Sequence, residues 1–171
     1  MAASTDNSIR FAIAGTTLGL IAVARRPKGV CAILFGNSRQ ALLRDLRQRF
    51  PRSELTEDAA GLDSVLARVV RLVDSPAAGI DLPLDVAGTA FQQRVWRSIA
   101  RIPAGTTASY AQVARDIDAP KSVRAVAQAC GANAIALAIP CHRVVRSDGG
   151  LSGYRWGVDR KRVLLEREAA R

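Results

Sequence analysis

Apolar positions alternate with polar or small ones from Ile9 to Ala14 and again from Leu18 to Ala24, with Gly15-Thr16-Thr17 between them. That pattern predicts a β-hairpin. Val30 to Phe35, entered through Pro27-Lys28-Gly29, reads as a third strand. The period then changes from two to nearly four. Ser38 stands where an N-cap belongs, ahead of Ala41, Leu42, Leu46 and Phe50 at helical spacing. A second helix is predicted from about Glu57 to Val73, with Leu62, Val65, Leu66, Val69, Val70 and Leu72 as a broad apolar face. The turn-rich stretch Asp74-Ser75-Pro76-Ala77-Ala78-Gly79 marks a boundary.

Beyond it the pattern is mostly helical. Thr89 is placed to cap a helix bearing Phe91, Val95, Trp96 and Ile99, which ends near Pro103-Ala104-Gly105. Ser109 caps a short helix, Tyr110 to Ile117, and Asp118-Ala119-Pro120 turns the chain. Another helix is expected from Ser122 to Cys130, stopped by Gly131 as a C′ glycine. These two helices and their tight turn form a candidate helix-turn-helix. The apolar run from Ala134 to Ile139 reads as a buried strand. A final helix from Asp159 to Ala169 turns Val163 and Leu164 inward and its charges outward. The fold class is α/β in the α+β sense: an α+β unit over residues 1–85, then a mostly helical unit over 86–171.

A chain of 171 residues with 49% hydrophobic content can bury one large core or two small ones. No apolar run approaches the roughly 20 residues of a membrane span. The polar start, Met1 to Ser8, lacks the features of a signal peptide, which implies the cytoplasm and no membrane partner. Three cysteines without paired spacing suggest neither a disulfide framework nor a zinc site. Charge sharpens the division into halves. The net charge is +10, of which residues 1–85 carry +2 and residues 86–171 carry +8. A basic half suits a polyanion such as DNA or RNA, against the plainer reading of an arginine-rich soluble surface.

That basic half also holds the candidate chemistry. Cys141 precedes His142, the only histidine in the chain. A thiol becomes a nucleophile as its thiolate, and imidazole is a common activator that lowers the thiol pKa. In an extended segment neighbours point to opposite faces, so His142 reaches Cys141 only through a turn or a water. An inert buried Cys beside a surface His fits the dipeptide equally well. Cys31 and Cys130 read as packing. In the glycine-studded loop from Asp148 to Gly157, Tyr154 and Trp156 read as exposed rings that wall a pocket.

Pro140-Cys141-His142-Arg143-Val144 resembles the signature of the O6-alkylguanine-DNA alkyltransferases. The order of Phe91-Gln92-Gln93-Arg94-Val95-Trp96, Ile102-Pro103-Ala104-Gly105, Ser109-Tyr110, Val123-Arg124-Ala125-Val126, Asn133 and Leu151-Ser152-Gly153-Tyr154-Arg155-Trp156-Gly157 is similar to that family too. The last segment is especially like the C-terminal half of Ada-type bacterial proteins. The likeness runs from about residue 88 to 168 and covers the first half only loosely.

The resemblance implies a small ribonuclease-H-like first domain and a winged-helix-like second one. It implies Cys141 as alkyl acceptor, activated by His142 and Glu168, with Tyr110 donating a proton toward guanine. Arg124 fills the space of a flipped-out nucleotide, while Lys121, Ser122, Ala125 and Tyr110 meet DNA. Asn133, Val144, Tyr154, Arg155 and Lys161 hold the pocket. It further implies single-turnover direct-reversal repair of O6-alkylguanine in double-stranded DNA by a monomer, with cooperative assembly on DNA left open. No cofactor and no metal are expected: the zinc-binding Cys and His of some relatives have no counterpart beside Cys31. The cysteine-rich domain that precedes this unit in full Ada regulators is also absent from the sequence, so no transcriptional switching is expected. The rival readings are a non-enzymatic alkylated-DNA sensor, which lacks the acceptor cysteine, a helix-turn-helix regulator, and a cysteine hydrolase.

Overall fold

Consecutive residues of the early strands are buried, as for Ile21 to Ala24 and Val30 to Phe35, so their sheet is covered on both faces. The computed structural model describes residues 7–151 and 153–170. The start of the chain at Met1 to Asp6, and Ser152 of the glycine-studded segment, lie outside the described residues. The chain divides into two units, residues 1–74 with 80–86 and residues 75–79 with 87–171.

In the first unit β1 (Ser8–Thr16), β2 (Gly19–Arg26) and β3 (Gly29–Gly36) pair antiparallel in succession. The hairpin turn is one step later than the sequence suggests. Thr16 pairs with Gly19, and the Thr16 hydroxyl donates to the Gly19 carbonyl at 2.7 Å, leaving Thr17 and Leu18 as the turn. Ser38 caps α1 (Arg39–Arg49), its hydroxyl accepting from the Ala41 N–H at 3.1 Å. The predicted long second helix is corrected. Glu54–Glu57 is a short strand, β4, pairing parallel with β1, so the sheet order is β3-β2-β1-β4. The Asp58 carboxylate then accepts from the Gly61 N–H at 2.9 Å, a turn that delays α2 to Asp63–Asp74. Glu54-Leu55-Thr56-Glu57 carries the strand period in too few residues to compete with the helical pattern that follows it. Gly29 has φ +152, and a Cβ there would lie 2.5 Å from the Pro83 carbonyl oxygen, so only glycine fits.

The second unit starts its helices with reciprocal capping. Thr89 and Gln92 form a capping box on α3 (Ala90–Ala100), and Ser109 and Gln112 form one on α4 (Tyr110–Asp116). The helix α5 (Val123–Ala132) packs against both, and the Trp96 indole N–H donates to the Ala129 carbonyl at 2.9 Å. Gly131 does not end α5, as expected from sequence. The helix runs one residue past it and is closed by Asn133, whose backbone N–H donates to the Cys130 carbonyl. Two-residue strands β5 (Ala108–Ser109) and β6 (Val144–Val145) pair in parallel. The chain ends in α6 (Val158–Ala169). Among the described residues no helix is long and apolar enough to cross a membrane.

Candidate active site

The apolar run before Cys141 is not a strand. Within Ala134 to Ile139 the chain turns at residues 136–138, with the Ile139 N–H donating to the Ile135 carbonyl at 3.1 Å and Leu137 at φ +70. A uniform apolar run carries no period, so burial alone was legible there. Cys141–Arg143 then form a single 3-10 turn that buries all three side chains. The opposite-face problem therefore disappears: the three residues fan out around a turn.

Asn133 contacts the Cys141 sulfur, and Cys130 and Lys161 act on its charge. The Asn133 amide N–H donates to Sγ at 3.3 Å and to the Ile139 carbonyl at 3.1 Å, while its Oδ1 accepts from the Ile135 N–H at 2.9 Å. Asn133 thus ties the end of α5 to the thiol through a fully used amide. Cys130, on the last turn of α5, is buried as well. Lys161 of α6 supplies a nearby positive charge. The neighbouring Cys130 thiol, and then burial, push the Cys141 thiol well above its ordinary value; Asn133 and Lys161 pull the other way. The expectation of a depressed thiol pKa is therefore corrected. At rest Cys141 is held as the thiol.

His142 faces a different partner. Its Nε2 lies 2.8 Å from Oε1 of Glu168, which has 1% of its surface exposed. Burial lowers the His142 pKa despite the opposing carboxylate, so the ring is neutral. Bonded to a carboxylate, a neutral imidazole carries its proton on Nε2, which leaves the Nδ1 lone pair free. Nδ1 is buried, with no partner among the described residues. Burial pushes Glu168 up, but hydrogen bonds from His142 and Arg143 bring it down to about 2. Arg143 grips that carboxylate through Nε at 3.0 Å and Nη2 at 2.7 Å, and donates from Nη1 to the Ile102 carbonyl at 2.9 Å. The Pro140–Val144 signature assigns Arg143 no role of its own. Its position between Pro140 and Val145, amid apolar residues, was the available sign of a buried, paired arginine.

Tyr110 opens α4 directly after β5, so the β5–β6 pairing fixes it beside the segment that follows Cys141. Burial pushes its phenol up to about 12. Gly153, at φ +92, comes so near that a Cβ would sit 3.3 Å from the Tyr110 hydroxyl. Lys161 is completely buried, contrary to the outward charges expected of α6. Its Nζ donates to the Val144 carbonyl at 2.5 Å and lies 6.0 and 5.9 Å from the centroids of the Tyr110 and Tyr154 rings. Tyr154 and Trp156 are likewise buried rather than exposed, and meet edge to face at 5.4 Å. The Tyr154 hydroxyl has no partner among the described residues.

The other predicted residues lie outside this cluster. Lys121 and Arg124 are exposed at the start of α5, and Ser122 and Ala125 are half-buried there. Ser122 begins α5 without a side-chain cap bond. Arg155 is exposed and donates to the Gly131 carbonyl at 3.3 Å. Among the described residues no group of three or more His, Cys, Asp or Glu could hold a metal ion.

Comparison with known proteins adds a family. Residues 90–170 match the model of the 6-O-methylguanine DNA methyltransferase DNA-binding domain. The chain is 50% identical over 165 residues to the regulatory protein ada of Salmonella typhimurium, covering 96% of this chain and 47% of that protein. It is 37% identical over 158 residues to the inducible methylated-DNA–protein-cysteine methyltransferase of Bacillus subtilis, covering 92% of this chain and 83% of the relative. The crystal structure of Mycobacterium tuberculosis OGT in complex with DNA superposes with a TM-score of 0.79 at 32% identity, covering 94% and 93% of the two chains. The chain therefore spans about half the length of the Ada proteins it matches.

Proposed function

The chain belongs to the methylated-DNA–protein-cysteine methyltransferase family, and from that premise we propose that it takes alkyl groups from O6 of guanine in double-stranded DNA onto Cys141, once per molecule. The observation that carries this reading is the buried Cys141 Sγ accepting a hydrogen bond from Asn133, next in the chain to a neutral His142 whose Nδ1 has no partner among the described residues.

The chemistry follows from those groups. Cys141 is stored as an unreactive thiol and gives up its proton when substrate arrives. Nδ1 of His142 is the base, reached through a bridging water, and Glu168 stabilises the imidazolium that forms. The thiolate attacks the alkyl carbon, the carbon–O6 bond breaks, and its electron pair moves onto the guanine. Tyr110, whose phenol stays protonated at neutral pH, donates to the base as that charge develops. The Asn133 amide orients the sulfur and the Lys161 ammonium favours its ionised form. A thioether results, which water does not cleave, so no second turnover follows.

A guanine stacked in a duplex cannot reach a thiol that is 4% exposed, so the nucleotide is flipped out. Arg124, exposed near the start of α5, takes its place in the stack, while Lys121, Ser122 and Ala125 follow the backbone in the minor groove. Tyr154, Arg155 and the backbone of Val144 border the base. On this reading the second unit, residues 86–171, is a winged-helix-like DNA-binding and acceptor domain. Residues 1–85 form a ribonuclease-H-like domain, supported by a sheet in which β1–β3 are antiparallel and β4 returns parallel to β1. The protein acts without a cofactor, as a monomer.

Cys141→Ser tests the proposal. The variant is expected to bind duplex carrying O6-methylguanine about as tightly as the parent and to leave every lesion unrepaired. Repair by the variant, or repeated turnover by the parent, contradicts the reading.

A further inference from the structure

Arg143 is buried against Glu168 yet stands outside the proton route of the proposed transfer. Oε1 of Glu168 accepts three N–H groups: His142 Nε2 at 2.8 Å, Arg143 Nη2 at 2.7 Å and Arg143 Nε at 3.0 Å. Oε2 accepts from Arg143 Nε at 3.1 Å. A carboxylate oxygen offers about two lone-pair sites, so Oε1 has none left to draw the proton off the ring. Nε2 keeps its hydrogen, and the ring's lone pair stays on Nδ1. The guanidinium is anchored at its far side as well, where Nη1 donates to the Ile102 carbonyl at 2.9 Å. The chain then runs to Gly105, where a Cβ would lie 3.5 Å from the Glu168 carbonyl oxygen.

The charges that act on His142 are Glu168 and Lys161 from α6 and Arg143 from its own turn. The buried residues of α3, which also packs against that turn, are Val95, Trp96, Ser98 and Ile99, and none of them titrates. Burial keeps Tyr154, whose charge would act on Glu168, a neutral phenol. Of the two cations, Arg143 holds the carboxylate that orients the ring, while Lys161 donates to the Val144 carbonyl. We propose that Arg143 is a positioning residue: by occupying Glu168 it fixes the His142 tautomer, so that Nδ1 stays bare and ready for the Cys141 proton. A carboxylate facing imidazole alone would draw a proton into the pair, and a charged ring accepts nothing from a thiol. With the guanidinium in place, Glu168 orients the ring without charging it. Removing that positive charge favours the protonated ring. The consequence for transfer rests on His142 as its base; the state of the ring does not.

His142 is the only histidine in the chain, so histidine labelled with a nitrogen isotope reports its tautomer and charge by NMR without overlap. The full chain is titrated as parent, Arg143→Gln and Arg143→Lys. Transfer from a short single strand carrying O6-methylguanine is followed over the same pH range. In the parent, hydrogen is expected on Nε2 alone at neutral pH, with the ring charging only below its ordinary 6.5. Arg143→Gln keeps a donor beside Glu168 without the charge. Its ring should charge at higher pH, and transfer should slow on the acid side by about tenfold for each unit of that shift, recovering in alkali. Arg143→Lys keeps the charge without the fork and should move both curves less, in the same direction. Lost packing alone would slow transfer at every pH and leave the ring's titration in place. Should Arg143→Gln fail to fold, the parent tautomer and the Arg143→Lys titration still decide. Hydrogen on Nδ1 in the parent, or an unmoved ring titration in the folded variants, overturns the proposal. A moved ring titration with an unmoved transfer profile leaves the hold of Arg143 on the ring standing and refutes His142 as the base.

Discussion

Cys31 and Cys141 are both buried thiols, yet one is inert packing and the other sits in a polar cage. Cys31 lies in β3 among Val30, Ala32, Ile33, Leu34 and Phe35, and burial lifts its pKa to about 11. Cys141 is lifted too, but Asn133 and Lys161 act on it in the opposite sense. The units around them differ in the same way. The first keeps Arg10–Asp58 and Arg39–Glu57 at the surface and Arg49–Asp45 half-buried. The second buries His142, Arg143, Lys161 and Glu168 in its core. Burial alone makes a thiol unreactive; a reactive one needs charges brought inside with it. Buried ion pairs commonly give less stability than an apolar core of equal volume, so their presence beside Cys141 points to chemistry.

The sharpest way to break this comparison is to remove one charge from each unit. Glu168→Gln leaves Arg143 buried without its counter-ion and is expected to cost about 3–5 kcal/mol. Arg39→Ala removes only a surface pair and is expected to cost less than about 1 kcal/mol. Urea unfolding of both variants measures the difference. Similar losses would mean that the buried network is no different in kind from the surface pairs.

Acid provides a second contrast. His142 is held below its ordinary pKa of 6.5, so the unfolded chain takes up its proton first and stability falls as pH drops below that value. Glu168 is held at about 2 against an ordinary 4.5, so its contribution, complete above 4.5, is lost as pH falls toward 2. Both changes belong to the second unit. Thermal melts across this range should therefore show its signals failing before those of the β1–β3 sheet. Loss of the sheet first would contradict the assignment.

A smaller effect is expected from Lys161→Met, which keeps an apolar stem and removes the charge. The Cys141 thiol should rise further, and transfer from a short single strand carrying O6-methylguanine should slow by about tenfold for each unit of that rise. The deficit should shrink as pH increases, because less activation is then needed. A deficit that does not change with pH would assign Lys161 to holding Val144 rather than to charging the sulfur.

What the sequence made legible was whatever depends on local rules. Thr89 and Ser109 cap α3 and α4 as their spacing with Gln92 and Gln112 requires. Ser38 caps α1 in the same way. What it hid depends on distant partners. β4 is a strand because β1 offers it an edge, and Ala134 to Ile139 turns because Asn133 supplies bonds that a strand would have found elsewhere. By period alone Lys161 and Glu168 read as solvated helix charges, and only the family resemblance gives them a place in the site, since periodicity cannot reveal that the Val144 carbonyl and the His142–Arg143 pair wait inside. Cys141 and His142 were visible as a dipeptide, but their relation through a 3-10 turn was not.

The central claim is that the caged thiol, and neither of the other two, accepts the alkyl group. Incubating the chain with duplex bearing an isotopically labelled O6-methylguanine, then mapping label by peptide, tests it directly. The account predicts one label per molecule, all of it on Cys141, with Cys31 and Cys130 unlabelled. Label on Cys31 or Cys130 in the folded chain would contradict it.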